Sequence, residues 1–433
     1  MTPHLRAAGT AVTAAVGLAA ALVLPATADE PPVSRLRLSA GHDTFLQTYY
    51  LATDDTTETI TEFNLAADYE ARSRRQNKHQ WHWRTELVAG SQLRRELFDV
   101  GYRWQPATGK PRVRTDLSWA GRQYRADSDY GLNSDTREIR GDLYLYPWYG
   151  RRAGLDLRLR ARRLDHSRPS VLEQDYREVG AAAFLNSRGT ASGIWRCGLR
   201  ATQRAYPDSA AIDRETFAVE GDLDRSLGLG DLWLYHRSER RLIADENARP
   251  SAWLHWDEAR LAVPAGGGHV IANLNSEVWR YDRETTVWFD AWRTDLELGY
   301  RWGDLLRSQQ QVSLTGQRLA AGASPEAYTQ AGLRGSIEAY HHALSGILSL
   351  EVGRRWYRNG ADDSGDPTGA FDLGGLALAY SDFTYLEIWI MATWTLNDRW
   401  SLDLTASYQP ERHTEPDDNT VLGFSSLRLA WRP

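Results

Sequence analysis

The chain is poor in the residues that staple or ligate. Its single cysteine, Cys197, excludes an internal disulfide framework and any cysteine-based zinc or iron-sulfur centre. Lysine occurs only at Lys78 and Lys110, so arginine supplies the rest of the 51 basic residues. Set against 57 acidic residues these leave a formal net charge of -6, with no long basic tract, and nucleic acid is excluded as a partner. Beyond the N-terminus no stretch approaches the run of about 18 apolar residues that a membrane-spanning helix needs. No Gly-x-Ser-x-Gly, His-Glu-x-x-His or P-loop pattern occurs and the 11 histidines are scattered, so no enzyme, cofactor or metal centre is expected. The acid-rich stretches Asp54-Asp55, Asp362-Asp363 with Asp366, and Glu415 with Asp417-Asp418 lack the spacing of a calcium loop and read as solvated tips.

What is abundant is aromatic: 18 tryptophans and 20 tyrosines, residue types that concentrate where a protein meets a membrane interface. Residues 1–29 have the pattern of a cleaved secretory leader. Arg6 supplies the positive start, Ala11 to Leu24 the apolar stretch, and Pro25-Ala26-Thr27-Ala28 an Ala-x-Ala cleavage site. Residues 30–433 are then the exported domain. An exported chain with no helical span is either soluble outside the cytoplasm or a β-barrel.

The exported part repeats with a period of two. In Leu155-Asp156-Leu157-Arg158-Leu159-Arg160-Ala161-Arg162 every apolar side chain falls on one face of a strand and every charge on the other. Residues 112–119, 140–146, 400–408 and 426–431 alternate in the same way. Turn-forming clusters such as Pro264-Ala265-Gly266-Gly267-Gly268 and Leu396-Asn397-Asp398-Arg399 separate these segments. Long breaks near 125–135, 165–174, 206–213, 239–250, 321–327 and 409–420 alternate with shorter ones near 149–152, 224–230, 264–268, 302–304, 340–343 and 396–399. Taking 357–382 as one long outer loop with its own β-extension leaves about twenty strands, within a range of eighteen to twenty-two, since bacterial single-chain membrane barrels have an even number. The N-terminal third departs from the rule, with a short break at 93–96 where a long one is due and a longer one at 72–79 where a short one is due.

The leader, the dyad repeat, the even strand count and the closing strand at Leu427-Leu429-Trp431 resemble the outer-membrane β-barrel superfamily of Gram-negative bacteria, across essentially the whole exported chain. The superfamily commonly ends on an aromatic residue, whereas here Arg432 and Pro433 follow Trp431. The resemblance implies an all-β, antiparallel up-and-down transmembrane barrel in the bacterial outer membrane, with outer-membrane lipid and lipopolysaccharide as its surroundings. Trp148, Trp195, Trp302, Trp356, Trp400 and Trp431, all near strand ends, are the expected aromatic girdle.

A barrel of this width is too large for its own side chains to fill, so a water-filled channel for hydrophilic solutes is the default, and a structural or assembly barrel with a plugged lumen is the alternative. Arg112, Arg114, Arg140, Arg158, Arg160, Arg162, Arg196 and Arg200 are expected to face inward against Asp116, Asp142 and Asp156, which makes one arc of the wall net positive. Elsewhere, as at Arg293, Asp295, Glu297 and Arg301, the wall reads as balanced. Guanidinium groups hold carboxylates and phosphates through paired hydrogen bonds, so this arc resembles anion-lined porins or the arginine-rich barrels that export acidic polysaccharides. Tyr144 and Tyr146 are candidates for stacking on sugars. Two readings of the arginines stay open: they pair across neighbouring strands and merely fill the lumen, or they select anions.

Overall fold

The computed structural model describes residues 33–432 apart from 51–54, 74–78, 106–111, 125–134, 151, 168–173, 188–192, 286–287, 305, 322–326, 342, 358–380 and 415–417. The expected leader, most of the long outer loop and most of the acid-rich tips lie outside the described residues.

Ten strands make the first half of the ring: β1 (Val33–Tyr50), β2 (Asp55–Arg72), β3 (His79–Gly90), β4 (Leu93–Trp104), β5 (Arg112–Tyr124), β6 (Thr136–Tyr149), β7 (Ala153–His166), β8 (Tyr176–Ser187), β9 (Ile194–Ala205) and β10 (Arg214–Ser226). The second half is β11 (Asp231–Ile243), β12 (Ala252–Ala265), β13 (Gly268–Tyr281), β14 (Ala291–Asp304), β15 (Ser308–Ala320), β16 (Tyr328–His341), β17 (Leu344–Tyr357), β18 (Phe383–Thr395), β19 (Trp400–His413) and β20 (Thr420–Trp431). Each strand pairs antiparallel with the next, and β20 returns to β1 over the register Leu38↔Trp431 to Tyr49↔Thr420. The twenty-stranded sheet is therefore closed. Closure gives every strand two hydrogen-bonded neighbours, the condition for a sheet to exist in lipid.

Antiparallel order over an even number of strands puts the start of β1 and the end of β20 at the same end of the barrel. At that end most connections are short, as at 266–267 and 342–343, and at the other they include 125–135, 206–213 and 358–382. The departures expected in the N-terminal third are present, at 91–92 and 73–78, and 105–111 and 188–193 add two more long connections at the short end. A two-residue connection joins β12 to β13 through Gly266 and Gly267 at φ 53° and 85°. Positive φ at both positions of a two-residue hairpin matches the twist of the flanking strands, and glycine adopts it without strain.

Two boundaries move. The breaks read near 239–250 and 409–420 begin later, because β11 runs on to Ile243 and β19 to His413. Proline is an element breaker in isolation, but Gln409, Glu411 and His413 continue the inward alternation and Pro410 stays in register with Val421.

The period of two becomes two chemically different faces. Leu117, Leu199 and Leu314 lie mid-strand and are 59%, 63% and 65% exposed. Side chains of this kind belong in hydrocarbon, where exposure has no cost. The other face carries the ion pairs, and among the described residues there is one sheet and no apolar core between sheet layers.

Candidate solute pathway

Register decides what the inward face brings together. Asp142 on β6 sits opposite Arg160 on β7 and Asp116 on β5. Its carboxylate, 4% exposed, accepts from Arg140 Nε at 2.6 Å, Arg160 Nε at 2.9 Å and Arg158 Nη2 at 3.3 Å. Three guanidiniums on one carboxylate leave this cluster net positive. Nearer the long-loop end of the same two strands, Arg162 binds Glu138 through Nε at 2.6 Å and Nη2 at 3.0 Å, the parallel two-bond geometry that fixes a guanidinium plane. On β9, Arg200 Nη2 lies 3.0 Å from both oxygens of Glu220, and Arg196 reaches the same carboxylate at 3.8 Å. Arginines also stack on rings: Arg114 and Arg158 lie 5.3 and 4.8 Å from the Tyr144 centroid, and Arg196 lies 3.7 Å from that of Phe184.

Toward the short-turn end this arc opens into a pocket of about 410 Å³ lined by Arg103, Arg112, Arg114, Tyr146, Asp156 and Asn186. Arg103 stands directly opposite Arg114, whose Nε is 2.7 Å from Asp116. Asn186 Nδ2 donates to Asp156 at 2.5 Å, so that carboxylate is turned toward an amide. Among the described residues Arg103 makes no ion pair.

Further round the ring, β10 to β17 line a second cavity of about 780 Å³. Here Asp224, Asp231, Glu258, Asp295, Glu297 and Glu351 outnumber Arg260, Arg293, Arg301 and Arg334. Neutral donors take up the difference. Glu297 accepts from Asn273 and Gln311, each at 2.8 Å, and Glu351 accepts from Tyr385 at 2.6 Å and Thr315 at 3.0 Å as well as from Arg334 at 2.7 Å. The expected balance on this side is thus corrected to an excess of acid. It was hidden because the acids come from separate strands whose register a sequence does not give.

No family model matches the sequence, and no curated protein is similar to it. Among solved structures, the copper transporter OprC superposes with a TM-score of 0.57 over 95% of this chain and 84% of its own, at 11% identity. OccAB4 of Acinetobacter baumannii gives 0.49 over 95% and 100%, and the siderophore receptor PirA of Pseudomonas aeruginosa 0.49 over 93% and 81%, both at 10% identity. The chain shares the closed antiparallel β-barrel fold of the transporter OprC. Identities this low carry the fold and leave the cargo to be argued from the wall itself.

All eight arginines singled out in the sequence lie on the inner face of the barrel, in two groups. Arg112 and Arg114 line the pocket, and Arg140, Arg158, Arg160, Arg162, Arg196 and Arg200 run along the ion-paired wall. Tyr144 is already engaged by two guanidiniums and so departs from the stacking role expected of it, whereas Tyr146 lines the pocket. Sequence reasoning missed Arg103, Glu138 and Glu220. Arg103 had a visible signal, since it lies between the outward Tyr102 and Trp104 in the same alternation. The six girdle tryptophans all face outward, but Trp148, Trp195, Trp302, Trp400 and Trp431 ring the short-turn end and only Trp356 lies at the other, with Trp253 and Trp292.

The rim holds a serine-histidine contact that the sequence did not suggest. Ser381 Oγ is 2.8 Å from His413 Nδ1 and 2.7 Å from Asp418 Oδ2, and His413 Nε2 is 3.5 Å from Glu411. A nucleophilic serine must give its proton to the base. Here the hydroxyl donates to Asp418 instead, the Phe383 ring covers the imidazole at 4.6 Å, and the Thr414 N–H is bonded to the Asp382 carbonyl at 2.7 Å. The cluster ties the bases of two outer connections together. Asp418 is accordingly a bonded residue and not a solvated tip. Among the described residues no group of three or more His, Cys, Asp or Glu could hold a metal ion.

Proposed function

We propose that the barrel is a channel for hydrophilic solutes that prefers anions, with an acidic sugar or sugar chain as the class of cargo that fits best. The observation that carries this reading is the positive excess on one arc, where Asp142 serves three arginines and Arg103, Arg112 and Arg114 converge on the pocket below. A carboxylate entering that pocket meets the guanidiniums of Arg103, Arg112 and Arg114, and the ring of Tyr146 offers a flat face to a sugar. The paired arginines of the ladder hold the wall in shape and set its potential, so both readings of the arginines apply, to different members of the set. Because the ion pairs leave a positive remainder, the arc attracts anions without binding them so tightly that passage stops.

Reversal potentials in planar bilayers under a salt gradient test the proposal. Anion preference is expected, reduced when Arg158, Arg160 and Arg162 are replaced together by Gln. Absence of conductance would point to a plugged structural barrel, and cation preference would remove the role of the arginines. Removal of residues 1–29 on export is part of the same proposal, and N-terminal sequencing of protein from the outer membrane checks it.

A further inference from the structure

The outer surface of the barrel carries a cationic cluster that the channel does not use. Outward positions along β6, β7 and β8 are apolar from Leu145 and Leu157 upward to Ala161 and Val179, and then change abruptly. Arg163 and Arg177 face each other directly across the β7–β8 ladder, with Arg137 and Asp165 opposed one step further out on β6 and β7. All three arginines are exposed. Asp165 is committed to Arg163, at 2.8 Å, and among the described residues Arg137 and Arg177 form no ion pair. Like charges directly opposite on one sheet face repel, so an arrangement of this kind is relieved by an anion between them.

Below them, past the Ala161–Val179 pair, lies a groove of about 610 Å³. Its floor is Ala181, Ala183 and Ala201, and Leu157, Leu159 and Phe217 stand along its sides. Three alanines on adjacent strands hollow the lipid-facing surface, and Arg240 closes the far end of the hollow while bonded to Asp282. The cluster belongs to the long-loop end of the barrel, which in this fold faces outside the cell. The short-turn end presents tryptophans at the same depth from the rim.

We propose that Arg137, Arg163 and Arg177, together with the alanine-floored groove beneath them, form a binding site for a phosphorylated lipid of the outer leaflet, the phosphate held by the arginines and an acyl chain laid in the groove. The charge of the cluster commits the site to an anionic headgroup, and the unbroken apolar surface below it commits the rest of the ligand to hydrocarbon. Neither a free anion nor a neutral lipid uses both parts. The site lies on the face opposite the pore, so it stands or falls independently of the channel.

Native mass spectrometry of the full barrel, titrated with diphosphorylated lipid A and with the same lipid stripped of its phosphates, tests the site. The phosphorylated form is expected to bind about ten-fold or more tightly, the difference that two charge-assisted hydrogen bonds supply, and Arg163→Gln with Arg177→Gln to abolish that margin. Ala181→Leu with Ala201→Leu fills the groove while leaving the arginines intact, and should weaken binding of both lipids. Heat-modifiable migration on gels identifies folded barrels in each case. Equal retention of the dephosphorylated lipid, unchanged binding by either folded double variant, or displacement by inorganic phosphate at matching concentration would overturn the assignment.

Discussion

The two arcs of the lumen wall are made from the same residue types and differ in who serves whom. Between β5 and β9 the carboxylates are scarce: Asp142 takes three arginines, while Asp116 and Glu138 each take one. Round the cavity that β10 to β17 line the carboxylates are in excess, and Glu297 and Glu351 turn to asparagine, glutamine, threonine and tyrosine as well as to arginine, although Glu220 and Glu239 on the same arc are each shared by two arginines. A wall rich in arginine needs its acids to stay folded. A wall rich in acid keeps its acids with neutral donors that would accept an amide almost as well. Residues that look equivalent in sequence therefore differ in what their removal would do, and the lumen presents a positive surface and a negative one within the same ring.

The largest expected effect follows from that asymmetry. Asp142→Asn takes the one full acceptor from three guanidiniums crowded on the inner wall, and should cost about 2 to 3 kcal/mol of folded stability, since a partner has been removed from a partly buried charge network. The figure is below that for a fully buried pair because the three arginines are 26–39% exposed. Urea titration of the barrel refolded into vesicles measures it. Conductance of the surviving folded fraction should show stronger anion preference, because a negative charge has left the positive arc. A loss under about 0.5 kcal/mol, the usual range for a substitution that touches no network, would mean that the arginines do not depend on the carboxylate.

The same chemical change on the other arc should be milder. Glu351→Gln keeps an oxygen for the Tyr385 and Thr315 hydroxyls and loses only the pairing with Arg334, which retains Glu297 at 4.0 Å. A cost of about 1 kcal/mol is expected, one charge-assisted hydrogen bond partly compensated. If the two substitutions cost the same, the distinction between shared and surplus carboxylates is wrong.

Much of this could be read before any coordinates, and the reason is physical. Lipid on one side and water on the other impose alternation on every strand, so Leu155 to Arg162 discloses its two faces without reference to a neighbour. Facing is a local property, and all eight inward arginines were placed by it. Pairing is not local. That Arg162 meets Glu138, and Arg200 meets Glu220, depends on the register of adjacent strands, which one strand's sequence does not contain. The acid excess of the second arc escaped for the same cause, as did the union of Ser381, His413 and Asp418 from two outer connections. The break read near 409–420 starts too early by a different route, because the polar run around Pro410 continues the strand when both flanking positions are held in the ladder.

The smallest structural effect, and the cleanest electrical one, belongs to Arg103. It has no carboxylate to abandon, so Arg103→Gln should leave stability within about 0.5 kcal/mol of the parent. It nonetheless removes a full charge from the pocket where Arg112 and Arg114 also point, and the reversal potential should move toward cations. Salt sharpens the comparison. At about 0.1 M the Debye length is about 10 Å and a charge on the wall is felt across much of a pocket, whereas at about 1 M it is about 3 Å and only contact remains. The difference between parent and Arg103→Gln should therefore shrink as ionic strength rises if the arginine acts through the potential of the arc. If it persists undiminished in strong salt, Arg103 acts as a direct ligand for the solute, and the pocket is a binding site within the channel more than a charged stretch of its wall.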